Sequence, residues 1–128
     1  MKIIVTGNAV AKITKTKDPI NFLGAIEKET GNVRDKKYDL FGRTIANSIL
    51  VFPYGVGSSV GAYTIYALRS HRVAPAAMVC QKADLTVSSG CAMANIPLLV
   101  ANKDEYNALK DDCTISIDTK NNPPIKFY

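Results

Sequence analysis

Apolar and polar residues alternate from Met1 to Thr16, in a segment rich in Ile, Val and Thr. A period of two predicts one or two half-buried strands, with the break at Gly7-Asn8. Asp18-Pro19 opens a loop. Ile20 to Ile26 is a short apolar stretch that ends on a turn signal, Glu27-Lys28-Glu29-Thr30-Gly31. Residues 32–43 are polar and charged, and Ser48 to Phe52 then reads as a buried, β-branched and apolar strand.

Past Phe52 the period changes. Val60, Tyr63, Ala67 and Leu68 recur at helical spacing, which predicts a helix over Ala62 to Arg69. Pro75 ends that connection. Ala76 to Cys80 is a second buried strand and Leu85 to Val87 a third, followed by a loop entering a short helix over Ser88 to Ala94. Ile96 to Val100 is another strand, Asp104 to Lys110 a short amphipathic helix, and Cys113–Asp118 and Ile125–Tyr128 close the chain as strands. Short strands outnumber helices, so the expected class is mixed α/β, in one domain over residues 1–128 with one main helix.

Composition narrows this picture only at its edges. The apolar fraction of 47% is ordinary for a globular protein, and no apolar run approaches the ~20 residues of a membrane span. Residues 1–6 lack a long apolar stretch, so a cleaved signal peptide is not expected and a cytoplasmic location is. Cys80, Cys91 and Cys113 form no CxxC pair or Cys/His cluster, so they read as reduced, mostly buried thiols rather than metal ligands. The net charge of +5 is concentrated early: residues 1–43 hold nine Lys/Arg against five Asp/Glu. That balance suits an anionic substrate or an acidic partner. Nucleic acid is not expected, because the basic residues do not interleave with aromatics.

Candidate chemistry concentrates in Pro53-Tyr54-Gly55-Val56-Gly57-Ser58-Ser59-Val60-Gly61, between the Ile49–Phe52 strand and the helix. Gly55 and Gly57 carry no Cβ, so backbone N–H groups there can face a bound anion. Ser58 and Ser59 fall at the expected helix N-terminus, where unpaired donors and the helix dipole favour negative charge. A hydroxyl in that position can be a cap, an anion ligand or an activated base. The glycine spacing is one residue off a dinucleotide fingerprint, although Asp84 lies about where its ribose-binding acid would. No Gly-Lys-Ser/Thr follows, which excludes a Walker loop. His71, the only histidine, sits beside Arg69 and Arg72 at a helix end and reads as a partner for terminal carbonyls.

Six ordered blocks carry a resemblance. They are Ile20–Ile26 with Glu29-Thr30-Gly31, Gly42 with Ile45, Ile49–Pro53, the Gly55–Gly61 loop, Val73–Ala77, and Gly90 to Leu98. Over about residues 7–100 the chain resembles the aconitase X swivel-domain family, the small subunits of archaeal phosphomevalonate dehydratases. The resemblance implies a β/β/α swivelling domain paired with a larger subunit, which would hold a [4Fe-4S] cluster; no cofactor is implied on this chain. It implies dehydration of (R)-5-phosphomevalonate to trans-anhydromevalonate 5-phosphate in the mevalonate pathway. Ser58 matches the family's proton acceptor, with Gly55, Gly57 and Ser59 as substrate-binding neighbours. Other family members act on small hydroxy acids such as cis-3-hydroxyproline, and a non-catalytic binding or regulatory domain is the reading from a different class. Two positions depart from the family pattern: Val56 stands where Arg or Lys is usual, and Asn21-Phe22-Leu23-Gly24-Ala25 stands for Ser-Phe-x-Gly-Gly.

Overall fold

In a computed structural model covering all 128 residues, seven strands and four helices follow one another along the chain. The strands are β1 (Lys2–Val5), β2 (Asn8–Lys15), β3 (Ile49–Phe52), β4 (Ala77–Cys80), β5 (Leu98–Val100), β6 (Thr114–Asp118) and β7 (Ile125–Phe127). The helices are α1 (Phe22–Ala25), α2 (Gly61–Ser70), α3 (Leu85–Ala94) and α4 (Lys103–Ala108). The sheet order is β1-β5-β4-β3-β2-β6-β7. Its four central strands, β5 to β2, run parallel, and β1, β6 and β7 are antiparallel additions at the two edges.

Strands buried on both faces read as continuous apolar runs, and β3 and β4 do so residue by residue. Leu50, Phe52, Met78, Cys80 and Leu98 enter one core with Phe22, Ile65, Leu68, Val87 and Cys91 of α1, α2 and α3. Ile49, Val51, Ala77, Val79 and Leu99 enter a second core, covered by Tyr106 and Leu109 near α4 and by Ile115 and Ile117 of the curled β6. The layers are therefore helix, parallel sheet and curled antiparallel sheet, matching the expected mixed α/β arrangement. Phe22 and Phe52 meet edge to face, with centroids 5.8 Å apart at 80°, and fix α1 over the end of β3.

The structure changes three sequence expectations. Leu85 to Val87 is not a strand but the first turn of α3, and Ser88 to Ala94 continues the same helix. Asp84 decides this, because its carboxylate caps the helix by accepting the Val87 N–H at 2.9 Å. A three-residue apolar run cannot by itself separate strand from helix. Two ten-residue helices therefore share the role given to one. They approach closely at Gly90, where a Cβ would stand 2.9 Å from the Ile65 side chain and 3.2 Å from Ala62 Cα.

Candidate functional site

Three successive units have the same form: a parallel strand, a loop, then a helix. α1 follows β2, α2 follows β3 and α3 follows β4, so all three helices start at the carboxyl edge of the parallel strands. That edge is where open α/β sheets bind ligands.

Gly61, the first residue of α2, is where the starts meet. A Cβ there would lie 3.2 Å from Thr86 in the first turn of α3 and 3.8 Å from Phe22 at the start of α1. Asn21 caps α1, its Oδ1 accepting the Gly24 N–H at 3.1 Å. The Asn21 N–H in turn donates to the Tyr38 hydroxyl at 2.9 Å, so the long 26–48 segment buttresses the cap. That segment is anchored in the helix-side core by Val33, Leu40 and Ile45.

The loop glycines also meet a packing demand. A Cβ on Gly55 would strike Val87 at 2.7 Å and lie 3.6 Å from both Asp84 carboxylate oxygens. Gly57, at φ +97°, packs against the Asn21 side chain. Each glycine thus admits a neighbouring helix start, and Gly57 also supplies a backbone conformation that side chains disfavour. The loop is pinned at its entrance, where Ile20 N–H donates to Tyr54 O at 3.0 Å and Val56 N–H to Ile20 O at 2.9 Å.

The amides of Gly55, Gly57, Ser58 and Ser59 donate to no group of the chain. Of the three roles open to the Ser58 hydroxyl, that of a plain helix cap is not the one found. The capping position is Val60, which offers no side-chain acceptor, and Ser58 lies two residues earlier. Its Oγ accepts the Val60 N–H at 3.1 Å, and its carbonyl accepts the Gly61 N–H at 3.0 Å, so a tight turn leads into α2. The hydroxyl therefore sits at the positive end of α2 with a donor already aimed at its oxygen. Ser58 and Ser59 are both exposed.

Asp84, which lies about where the ribose-binding acid of a dinucleotide fingerprint would, is the α3 cap beside Gly55. His71 closes the far end of α2, its ring Nδ1 2.8 Å from Ala67 O, as the sequence suggests. Asn21, Tyr38 and Thr86 are the supporting residues that sequence reasoning missed. Of these only Asn21 carries a signal, since Asn before Phe-Leu-Gly-Ala is a helix-start pattern.

No three His, Cys, Asp or Glu side chains converge on one point. Nor do the cysteines suit an iron–sulfur cluster. Cys80 and Cys91 are buried, while Cys113 is exposed at the start of the β6 hairpin. Burial pushes the Cys80 thiol up to about 12, and burial together with Cys80 raises Cys91 as well. No helix is long and apolar enough to cross a membrane.

Comparison with known proteins places this geometry. The model of the aconitase X swivel domain matches residues 1–126. The phosphomevalonate dehydratase small subunit of Methanosarcina mazei is 37% identical over 118 residues, covering 91% of this chain and 82% of that protein. The corresponding subunit of Thermococcus kodakarensis is 42% identical over 96 residues, covering 75% of this chain and 72% of that protein. The crystal structure of Thermococcus kodakaraensis aconitase X in its holo-form superposes with a TM-score of 0.91 at 34% identity, over 99% of this chain and 95% of that one. Matched by the family over residues 1–126, and sharing its fold and a third or more of its residues with these relatives over most of its length, the chain belongs to the aconitase X swivel-domain family.

Proposed function

We propose that this chain is the small subunit of a heterodimeric hydro-lyase that dehydrates (R)-5-phosphomevalonate to trans-anhydromevalonate 5-phosphate, with Ser58 as the proton acceptor. The relatives named above support the activity. The observation that carries the role of Ser58 is its Oγ accepting the Val60 N–H at 3.1 Å, at the start of α2 and beside unpaired amides.

Dehydrating a 3-hydroxy acid moves a proton from C2 to a base, while the C–H electron pair forms the C2=C3 bond and hydroxide leaves C3. The proton is the difficult part. A serine hydroxyl is a poor base in water and must first release its own proton to solvent, leaving the alkoxide that takes the C2 proton. A backbone N–H bonded to its oxygen and a helix N-terminus both favour the resulting alkoxide. The free amides of Gly57, Ser58 and Ser59 suit the carboxylate of the substrate, whose negative charge grows as C2 loses its proton. A [4Fe-4S] cluster, which the family relation implies on the large subunit, would polarise the leaving hydroxyl, and this chain's part is the base and the amides around it.

Val56 favours a second reading within the same chemistry. Its side chain is exposed and apolar, so it offers no charge to a phosphate. A hydroxy acid without phosphate, such as cis-3-hydroxyproline, suits it.

Co-expression with a cognate large subunit under anaerobic conditions, followed by assay of both substrates, separates the two readings. Ser58→Ala should lower kcat by about 10²–10⁴, the usual contribution of a general base, and leave subunit association intact. Near-normal turnover in that variant overturns the role of Ser58. Absence of turnover on any hydroxy acid by the unaltered, associated complex favours a non-catalytic swivel domain.

A further inference from the structure

Two of the four arginines of this chain are tied into the fold and two are not. Arg34 donates to the Leu23 and Gly24 carbonyls, and Arg43 to the Asp111 carboxylate. The guanidinium groups of Arg69 and Arg72 donate to no group of the chain, and the ion pairs belong to Met1, Lys12 and Arg43. Both free arginines line a cavity of about 430 Å³ at the carboxyl end of α2, with Asn47, Ser70 and Ala74 and no acidic residue. Ten helical residues, about 15 Å, separate that end from the start of α2 beyond Ser58.

The ordinary reason for arginine at a helix end is to meet the last carbonyls. Here those carbonyls are already met. Ala67 O accepts the His71 N–H at 2.9 Å, Arg69 O the Arg72 N–H at 3.0 Å and Leu68 O the Val73 N–H at 2.9 Å. The last two bonds form a Schellman motif, and its left-handed position, where glycine is the usual occupant, holds Arg72 at φ +62°. Backbone preference therefore opposes arginine at this position, and no hydrogen bond or ion pair of its side chain offsets that.

We propose that Arg69 and Arg72, with Asn47 and Ser70 beside them, form a binding site for a doubly charged phosphoryl group, such as a phosphate monoester or a diphosphate carries. A guanidinium stays charged and presents planar pairs of donors that fit phosphate oxygens. Two such charges with no acid among them match a phosphate dianion, whereas a single carboxylate neutralises only one. Asn47 and Ser70 add neutral donors to the same cavity. The carboxyl end of α2 carries only about half a negative charge, which two full positive charges outweigh. The site does not depend on the reaction at Ser58, so its failure leaves the proposed function standing.

Inorganic phosphate and pyrophosphate are titrated into the full chain at constant ionic strength, with acetate and chloride as controls. Saturable shifts should appear in the backbone amide resonances of Asn47 and residues 69–74, tighter for pyrophosphate than for phosphate and absent for both controls. Arg69→Gln and Arg72→Gln should each weaken pyrophosphate binding at least ~10-fold. Lys120→Gln, which removes an exposed charge elsewhere, should not. Arg72→Gly separates binding from folding: it should raise the melting temperature by relieving the left-handed residue, and still lose the anion.

Shifts that follow ionic strength alone, or pyrophosphate binding within ~3-fold of the unaltered chain in both glutamine variants, overturn the site. A lower melting temperature in Arg72→Gly with binding retained assigns the arginine to the fold and overturns it too. Tighter binding of a single-stranded oligonucleotide than of pyrophosphate, lost in the same variants, overturns it in favour of a nucleic-acid backbone.

Discussion

Gly57 rests directly on Asn21: a Cβ in place of its hydrogen would stand 2.8 Å from both Cγ and Oδ1 of that side chain. The same Asn21 caps α1, so the loop that carries Ser58 and the start of α1 are built as one piece. Contact and backbone strain both act at Gly57, and they can be separated.

Gly57→Ala should lower stability by about 2–3 kcal/mol, from left-handed strain of about 1–2 plus displacement of Asn21. Gly42→Ala is the control, since Gly42 has φ +83° and a Cβ there meets nothing within 4 Å. Only the strain remains in that variant. Urea melts of the two measure the difference, and a Gly57 variant no less stable than the Gly42 variant removes the Asn21 contact from the account.

Asp84 acts on the site through α3 rather than by touching a ligand. Asp84→Ala should cost about 1 kcal/mol as an N-cap loss, and Asp84→Asn only a few tenths because the amide oxygen still accepts. A chain that binds NAD, measured by thermal shift, and loses that binding in both variants would make Asp84 a ribose ligand instead.

Much of this architecture is legible in the sequence, for a physical reason. Strands buried on both faces must be apolar throughout, and Ile49–Phe52 and Ala77–Cys80 announce themselves that way. The Gly–Ser loop is equally visible, because glycine and serine are the residues that a strand-to-helix turn demands. Leu85 to Val87 is not, since three residues hold less than one helical turn and their exposure depends on what α3 packs against. The close pairs Gly57 with Asn21 and Gly55 with Val87 are hidden as well. They join residues more than thirty positions apart, and a periodicity argument sees only neighbours. Ser58 is found by its position in the loop, but the donor that defines its state, the Val60 N–H, emerges only from the turn geometry.

The three thiols should separate cleanly by reactivity. Cys113 is exposed, while Cys80 and Cys91 are buried, and burial holds their protons well above the neutral range. The thiolate is the reacting species. Maleimide labelling of the native chain, read by mass spectrometry, should therefore modify Cys113 alone, with the other two reacting only after unfolding. Native labelling of Cys80 or Cys91 would contradict the packing of the helix-side core.

Acid should loosen the tie between the 26–48 segment and the turn before β6. Burial opposes ionisation of Asp111, but the Lys15 N–H at 2.9 Å and the Arg43 guanidinium at 3.1 Å outweigh it and hold the carboxyl below its ordinary value. A carboxyl held down in the folded state stabilises the fold above its unfolded value of about 3.9, and that contribution is lost as pH falls through the lower folded value. Arg43→Ala should thus lower the melting temperature at pH 7 slightly and flatten its fall below pH ~4. An unchanged acid limb in differential scanning calorimetry would show that Arg43 contributes nothing to it.

The glycines of the loop and of the α2–α3 crossing are each matched to a different neighbour: Gly55 to Val87, Gly57 to Asn21, Gly61 to Thr86 and Gly90 to Ile65. Mutational tolerance follows from this. At Gly55 and Gly61 the obstacle is the end of a side chain, so trimming Val87 or Thr86 first opens the room, whereas Gly57 keeps its φ of +97° and Gly90 its contact with Ala62 Cα whatever the partner becomes. Routes through sequence space around this loop therefore run in pairs, the neighbour shrinking before the glycine grows. A library that randomises the loop alone should return Gly55, Gly57 and Gly61, and one that also randomises Val87 and Thr86 should release Gly55 and Gly61 while Gly57 is still returned.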